Sequence, residues 1–592
     1  MRNGEMPSQQ KFKMYLKNGY KGKGAFIMKN TKRARRAAAF AAAVVMAACA
    51  AVPMSSSFSA SAAGNNTITI TAVDGAAITH NYEAYQVFKG QYAAGSLGNI
   101  DWGTGVDGTA ILAELQSAAA PLDVFNGAKD AKDVAEKLAA GVTKADDDTL
   151  AVAFAAVVGK HLTAVKSGTY ANGEITGLDD GYYLVQDASD SPSGTGETNS
   201  GAKTRFILKV AGGGNVNVTA KSSAPSVIKK VKEDDKPVTG DVTVGAYTAN
   251  AQYNDVADYC IGENVPFELI STMPSTYDDY TSYFYQFTDT LASNFTLNTN
   301  SIAVKVVNAD GETPLTATDY TVSSQDESGK FTITINDTKK ITSIKKDSTI
   351  VVDYNATLND TAEIGLPGQE NKVDLTYSNN PNYTGDGAST PEGDKGKTPE
   401  DKVIVFTYEL DVTKYLGNEE TKADAEDGTK AGFKLGNADG SKWATVDGNL
   451  RITGWVDDVA AATEVTTDAT GIFKFIGLDD GKYTLRETTT PTGYNTMADL
   501  TLTIGATTAN NQVWSGTASD ALSAIKLTMN STNIDGDVDK GNVEGSIINQ
   551  KGSSLPSTGG IGTTMFYVGG GVLVAGAGVL LITKKRAKKD AE

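Results

Sequence analysis

The amino-acid sequence predicts a mainly β protein, several β-sandwiches in a row, the first carrying an added helical segment. Three observations predict it. The runs Phe331-Thr-Ile-Thr-Ile335 and Val403-Ile-Val-Phe-Thr-Tyr408 alternate with the period of two that half-buried strands require. The motif Gly177-Leu-Asp-Asp-Gly-Tyr-Tyr183 recurs as Gly477-Leu-Asp-Asp-Gly-Lys-Tyr483, each time a tight turn leading into a strand, so the units holding the two copies are related folds. Finally, the stretch 379–401 is rich in Asn, Gly, Pro and Thr and reads as a linker between strand-rich blocks.

The elements follow in chain order. Residues 1–63 read as an export signal: a basic segment from Lys29 to Arg36, an Ala- and Val-rich core from Ala37 to Val52, and small residues at Ala60-Ser-Ala62 for signal peptidase. Nothing before Met28 has an apolar core, so either the signal has a long basic leader or translation starts at Met28. The N-terminal domain, 64–222, mixes strands with a helical stretch at Ala110–Ala119 and Ala131–Leu138, where apolar residues recur at helical spacing. A middle domain, 226–390, and a third, 402–550, are almost all strand. At 555–592 the chain ends in Leu555-Pro-Ser-Thr-Gly559, an apolar run from Met565 to Ile582 and the cluster Lys584-Lys585-Arg586. That run is about as long as the shortest helix able to cross a bilayer, and the lysines after it favour the cytoplasmic side.

Composition excludes several functions. A net charge of −18 argues against nucleic acid as a partner, which wants a basic footprint. Cys49 falls in the removed signal, leaving Cys260 alone, so no internal disulfide can reinforce this exported chain. His80 and His161 are the sole histidines, leaving little for a metal centre or a Ser-His-Asp site. Gly103-Thr-Gly-Val-Asp-Gly108 lacks the βαβ unit of a dinucleotide site, and Asp535-Gly-Asp-Val-Asp539 misplaces the glycine of a calcium loop. No cofactor, no metal and no turnover enzyme are expected.

The C-terminal signals, in that order, resemble the cell-wall sorting signal of Gram-positive surface proteins. The resemblance implies that sortase recognises Leu555 and Pro556, attacks the carbonyl of Thr558 and discards Gly559 onward, joining the chain to peptidoglycan. Pro556 keeps the pentapeptide extended and accessible ahead of the membrane.

After the second copy of the repeat comes Tyr483-Thr-Leu-Arg-Glu487-Thr, then Pro491-Thr-Gly493-Tyr494, which resembles the E box of pilin and CnaB-type domains. In those families the Glu catalyses a Lys–Asn isopeptide bond. Parity supplies the partners, since residues two apart share a strand face. Tyr408, Leu410 and Val412 carry Lys414 inward with them, and Val543 and Ile547 carry Asn549. Lys414, Glu487 and Asn549 are thus expected to meet in one core. Burial favours a neutral, nucleophilic lysine and a protonated acid that can polarise the amide and shuttle a proton as ammonia leaves.

The middle domain resembles the CnaA-like domain of pilus shaft subunits, in which an Asp takes the Glu role. Lys229, in phase with Val227 and Val231, is preferred over Lys230. Asp289 lies in the alternating segment Tyr285–Leu291 and is the acid. Asn379 shares the phase of Val373, Leu375 and Tyr377 and is the expected amide. In the first domain Asp187 aligns with Glu487, but its Pro-x-Gly-Tyr continuation is missing. Although Lys89 is in phase with Tyr85 and Val87, it has no matching Asn, so no bond is expected there.

Between the first two domains, Asn215-Val-Asn-Val-Thr-Ala-Lys221 resembles the pilin motif, whose lysine attacks the threonyl acyl-enzyme of the next subunit; Thr219-Ala220 departs from the usual Tyr-Pro before it. A donor threonine and an acceptor lysine on one chain generate an open filament. The whole resemblance implies a sortase-assembled pilus shaft subunit on the cell surface, built of immunoglobulin-like CnaA/CnaB-type sandwiches and supporting adhesion. Its partners would be sortase, neighbouring copies of itself and the cell wall. Tip and basal pilins and a host ligand are compatible with it, though the sequence names none. A monomeric wall-anchored adhesin is the alternative.

Overall fold

The computed structural model describes residues 64–551 and 561–589, apart from 72–77, 94–95, 142–148, 195–200, 213, 221–222, 237, 382–394, 426–427 and 513. The export signal, Lys221, Leu555, Pro556, Thr558 and Gly559 lie outside the described residues.

The first domain has two four-stranded sheets. One runs Asn215–Thr219, Asn66–Thr71, Glu174–Leu178, Thr169–Ala171, its first pair parallel; the other runs Ser96–Trp102, Tyr82–Ala93, Gly181–Asp187, Arg205–Val210. Ile68, Ile175, Tyr183 and Val185 fill the space between them. Helices Gly108–Gln116, Ala131–Gly141 and Thr149–Lys160 cover Phe88, Leu97 and Tyr182 on the second sheet. The third of these helices was not expected. Its sequence, an unbroken Ala/Val/Phe run, has little amphipathic period to read.

The middle domain packs a six-stranded sheet, containing Val227–Lys232, Asn264–Thr272 and Thr349–Leu358, on a second built around Tyr285–Leu291, Lys330–Ile335, Gln369–Ser378 and Asp401–Phe406. The last of these strands corrects the expected domain limits. Asp401–Phe406 pairs antiparallel with Gln369–Val373 and parallel with Val256–Asp258, so the sandwich extends past 390 and the third domain starts at Tyr408, not at 402. The run Val403–Tyr408 is two strands in two sheets, divided at Thr407. Val403 to Phe406 are all buried because the strand is enclosed on both faces, which cancels the alternation expected of it.

In the third domain a sheet of Ile472–Leu478, Tyr408–Leu416 and Asn542–Asn549 faces a larger one containing Gly432–Asn437, Gly481–Thr489 and Leu500–Thr508. Its first and last strands lie side by side in parallel, with Lys414 opposite Ile547 and Leu416 opposite Asn549. One continuous hydrophobic core runs through the middle and third domains. Beyond it, the helix Ile561–Lys589 contains an apolar span, Val568–Lys585, long enough to cross a membrane and bare of any protein contact that buries it.

Candidate functional site

The strand Tyr408–Leu416 alternates buried and half-buried residues without a break, which carries Lys414 into the core among Tyr408, Leu410 and Val412. Asn549 is buried at the end of the adjacent parallel strand. Glu487 reaches them from Gly481–Thr489 in the facing sheet. Lys414 Nζ donates to Asn549 Oδ1 at 2.5 Å, and Asn549 Nδ2 donates to Glu487 Oε1 at 2.6 Å, while Lys414 Nζ and Glu487 Oε1 are 3.9 Å apart. The other carboxylate oxygen of Glu487 is held by Met497 N at 2.7 Å, which fixes the acid's orientation. Burial lowers the Lys414 ammonium to about 8, so an appreciable neutral fraction exists near neutral pH. Turning the amide over exchanges its two polar atoms, placing the carbonyl oxygen beside the Glu487 carboxyl and the nitrogen beside the lysine.

The middle domain brings Lys229 and Asp289 together from opposite sheets. Lys229 is fully buried, lies against the rings of Phe267 and Tyr354, and pairs with Asp289 Oδ2. Its Nζ also donates to Tyr354 Oη at 2.7 Å. Burial again lowers the lysine, to about 8, and raises the Asp289 carboxyl above its ordinary value. Lys230, the other lysine considered, turns away to pair with Asp255.

Asn379 does not join them, which corrects the expected amide. Its Nδ2 donates to Gly201 O at 3.3 Å and its backbone carbonyl accepts from Lys203 N at 2.6 Å, so it ties the middle domain to the first. The asparagine beside the lysine–aspartate pair is Asn371, fully buried, whose Nδ2 donates to Tyr354 Oη at 2.9 Å. Parity cannot separate the two, since both have the phase of Val373 and Leu375. Register does: Asp289 faces Val373 and Leu291 faces Asn371, whereas Asn379 lies about 27 Å further along at the usual strand rise. Two buried oxygens of the group, Asp289 Oδ1 and Asn371 Oδ1, have no hydrogen-bond partner. A proton on Asp289 would supply the donor that the amide carbonyl lacks.

In the first domain Asp187 is buried but accepts from Ser191 Oγ at 2.7 Å and Thr204 N at 2.7 Å and contacts His80 Nδ1 at 2.7 Å. Lys89 is half exposed beside Asp101, because the register shift between Gln86 and Phe88 breaks the phase that would have turned it inward. At the junction of the middle and third domains, sequence reasoning missed an acidic group: Asp235, Asp258 and Asp480 offer oxygens within 4.8 Å of one another. Lys236 Nζ occupies it, 3.1 Å from Asp258 Oδ1 and 2.5 Å from Asp480 Oδ2, so an ammonium already supplies the positive charge. Asp258 ends the short strand Val256–Asp258, and Asp235 and Asp480 lie in bends, so no periodic signal joins the three.

Comparison with known protein families agrees with this architecture. Residues 261–381 match the Cna-B-like domain of Gram-positive pilin backbone subunit 2, residues 419–517 a prealbumin-like fold domain, and residues 547–590 the LPXTG cell-wall anchor motif. The middle domain, read from sequence as CnaA-like, is thus matched by a model described as Cna-B-like. No curated protein matches the chain. Similar solved structures include the T6 backbone pilin of serotype M6 Streptococcus pyogenes, at 18% identity over 84% of this chain and 100% of that one, TM-score 0.47. The group B streptococcus pilus 2b backbone protein is 26% identical over 51% of this chain and 97% of its own, TM-score 0.35. The Corynebacterium diphtheriae major pilin SpaA is 14% identical over 82% and 100%, TM-score 0.41. The family models and the C-terminal apolar helix identify a secreted, cell-wall-anchored surface protein that carries a Cna-B-like domain of the Gram-positive pilin-backbone type and a prealbumin-like domain ahead of an LPXTG anchor.

Proposed function

We propose that this protein is a backbone pilin, the shaft subunit of a sortase-polymerised surface pilus supporting adhesion, stiffened by two intramolecular isopeptide bonds, Lys414–Asn549 and Lys229–Asn371. The observation that carries the proposal is the contact of a buried lysine, amide and carboxylic acid in the third domain, with Lys414 and Glu487 both touching Asn549 or lying within 4 Å of one another. In each reaction the neutral lysine nitrogen attacks the asparagine Cγ, the C–Nδ2 bond breaks, and the lysine's surplus proton leaves with that nitrogen as ammonia. Glu487 and Asp289 polarise the carbonyl and move the proton. The Lys414–Asn549 bond closes a loop of 135 residues, worth about 5 kcal/mol in the entropic model of cross-links.

Polymerisation uses Thr558 as donor and Lys221 as acceptor. Lysines close by in sequence support that choice: Lys203 is buried, its Nζ bonded to Ser189 O at 3.1 Å, and Lys209 lies over the Tyr92 ring. Immunoblots of wall extracts test the proposal. Wild-type protein with its cognate sortase should give a ladder of SDS-resistant multimers, Lys221→Ala only wall-linked monomer, and Thr558→Ala neither. A single wild-type band would make the chain a monomeric adhesin, and a ladder that survives Lys221→Ala but not Lys209→Ala would move the acceptor.

A further inference from the structure

The two triads differ in one group that the isopeptide reading does not use. In the third domain, lysine and acid each touch the asparagine directly. In the middle domain, one hydroxyl stands among all three partners: Tyr354 Oη accepts from Lys229 Nζ at 2.7 Å and from Asn371 Nδ2 at 2.9 Å, and donates to Asp289 Oδ2 at 3.0 Å. Resting on the bond proposed above, we infer that Tyr354 is a fourth catalytic residue of the middle domain, relaying the proton between the lysine that attacks and the amide nitrogen that leaves.

The inference follows from where protons must go. Attack by neutral Lys229 on Asn371 Cγ gives a tetrahedral centre with an excess proton on the lysine nitrogen, while the departing Nδ2 needs one more proton to leave as ammonia. Both nitrogens are hydrogen-bonded to the same phenol oxygen. Tyr354 can therefore give its proton to Nδ2 as it takes one from Nζ, directly or through Asp289, and ends as it began. Asp289 is left free to hold its own proton against the carbonyl oxygen of Asn371, the buried acceptor without a partner. The balance closes on Lys–NH2 plus Asn–CONH2 giving the substituted amide and ammonia, with nothing consumed.

The position of Tyr354 is built and not incidental. It lies on Thr349–Leu358, in the same sheet as Lys229, two strands away across Asn264–Thr272, and its ring stacks on Phe267 and meets Phe331 edge-on. Those rings fix the phenol's direction and keep water from replacing it. Burial holds the hydroxyl well above the ordinary tyrosine range, so it remains a neutral donor throughout.

The test compares Tyr354→Phe with wild type in protein made by cell-free translation, following ammonia loss by intact mass and the Lys229–Asn371 cross-linked peptide over time. The Lys414–Asn549 bond of the same molecules is the internal control. We expect Tyr354→Phe to slow the middle-domain bond about 100-fold and leave the third-domain bond at its wild-type rate. A wild-type rate in the middle domain would overturn the relay. Absence of the middle bond in wild type would instead sink the isopeptide reading, so the two failures are distinct. Should Tyr354→Phe misfold, 3-fluorotyrosine placed at 354 keeps shape and hydroxyl and alters only acidity. A changed rate would then support the relay, and an unchanged one would mean that the hydroxyl only packs.

Discussion

Two pockets in neighbouring sandwiches hold the same three functional groups by different means. In the third domain Lys414 and Asn549 come from adjacent parallel strands and the acid crosses from the facing sheet, so the amide bridges lysine and acid. In the middle domain lysine and acid face each other across the core, and a tyrosine hydroxyl connects them to the amide. The difference teaches that what such a site needs is a dry enclosure in which a lysine is driven toward neutrality. Both lysines fall to about 8 by burial. The route by which protons move is open to variation once that condition is met.

The largest expected effect breaks one pocket outright. Lys414→Ala removes the cross-link and leaves Asn549 and Glu487 buried without their partner, so the third domain should lose about 5 kcal/mol and melt about 10–20 °C lower, becoming open to trypsin. Calorimetry and limited proteolysis check it, and an unchanged transition would mean that the bond is absent or idle. A second expectation separates the two asparagines. Asn371→Ala should cut the ectodomain's deficit against its own sequence mass from two ammonia molecules to one, whereas Asn379→Ala should leave the deficit of two whole. The reverse result would restore Asn379 as the bonded residue.

A third concerns pH. Only neutral lysine attacks, so formation of the Lys414–Asn549 bond should slow as pH falls below about 8, by up to about tenfold per unit. In the middle domain the Asp289 carboxyl, raised by burial, must remain protonated, so that rate should also decline on the alkaline side and give a bell. A flat profile between pH 5 and 9, measured on freshly translated protein, would contradict the neutral-amine step. The smallest effect distinguishes the surroundings of the two lysines. Asp401, whose Oδ2 accepts from Lys229 N at 2.7 Å, holds the Lys229 ammonium up against burial, and Lys414 has no such second carboxylate. Asp401→Asn should therefore speed the middle-domain bond at pH 6, by less than about threefold, and leave the other alone.

How far these sites were legible in the sequence depended on whether a local rule had one solution. Lys414 and Asn549 followed from strand parity because each is the single such residue at the end of its apolar phase. Parity had two solutions along Asn371–Asn379, and only register with Asp289, a long-range fact, selects Asn371. Tyr354 gave no signal at all, since a tyrosine in phase with Val352 and Ala356 reads as ordinary core. The fold was legible as strands and sandwiches, but Thr407 was hidden inside an apolar run, because neither Gly nor Pro marks the passage from one sheet to the next.

The place of Asn371 bears on how a filament of such subunits would stretch. Asp401–Phe406 follows Asn371 in the chain and precedes Lys414, so with both bonds formed it lies outside either covalent loop. Tension entering at Lys229 would cross to Asn371, travel the backbone to Lys414, and cross again to Asn549. The stretch from Asn371 to Lys414 is then the one extensible part of the two sandwiches, with a contour of roughly 150 Å when drawn out. Its strand is secured by ladders to Val256–Asp258 and Gln369–Val373 that can open and re-form. Each subunit would thus carry a reversible slack of fixed length between two inextensible segments, letting a filament lengthen under a pull and recover afterward without breaking a covalent bond.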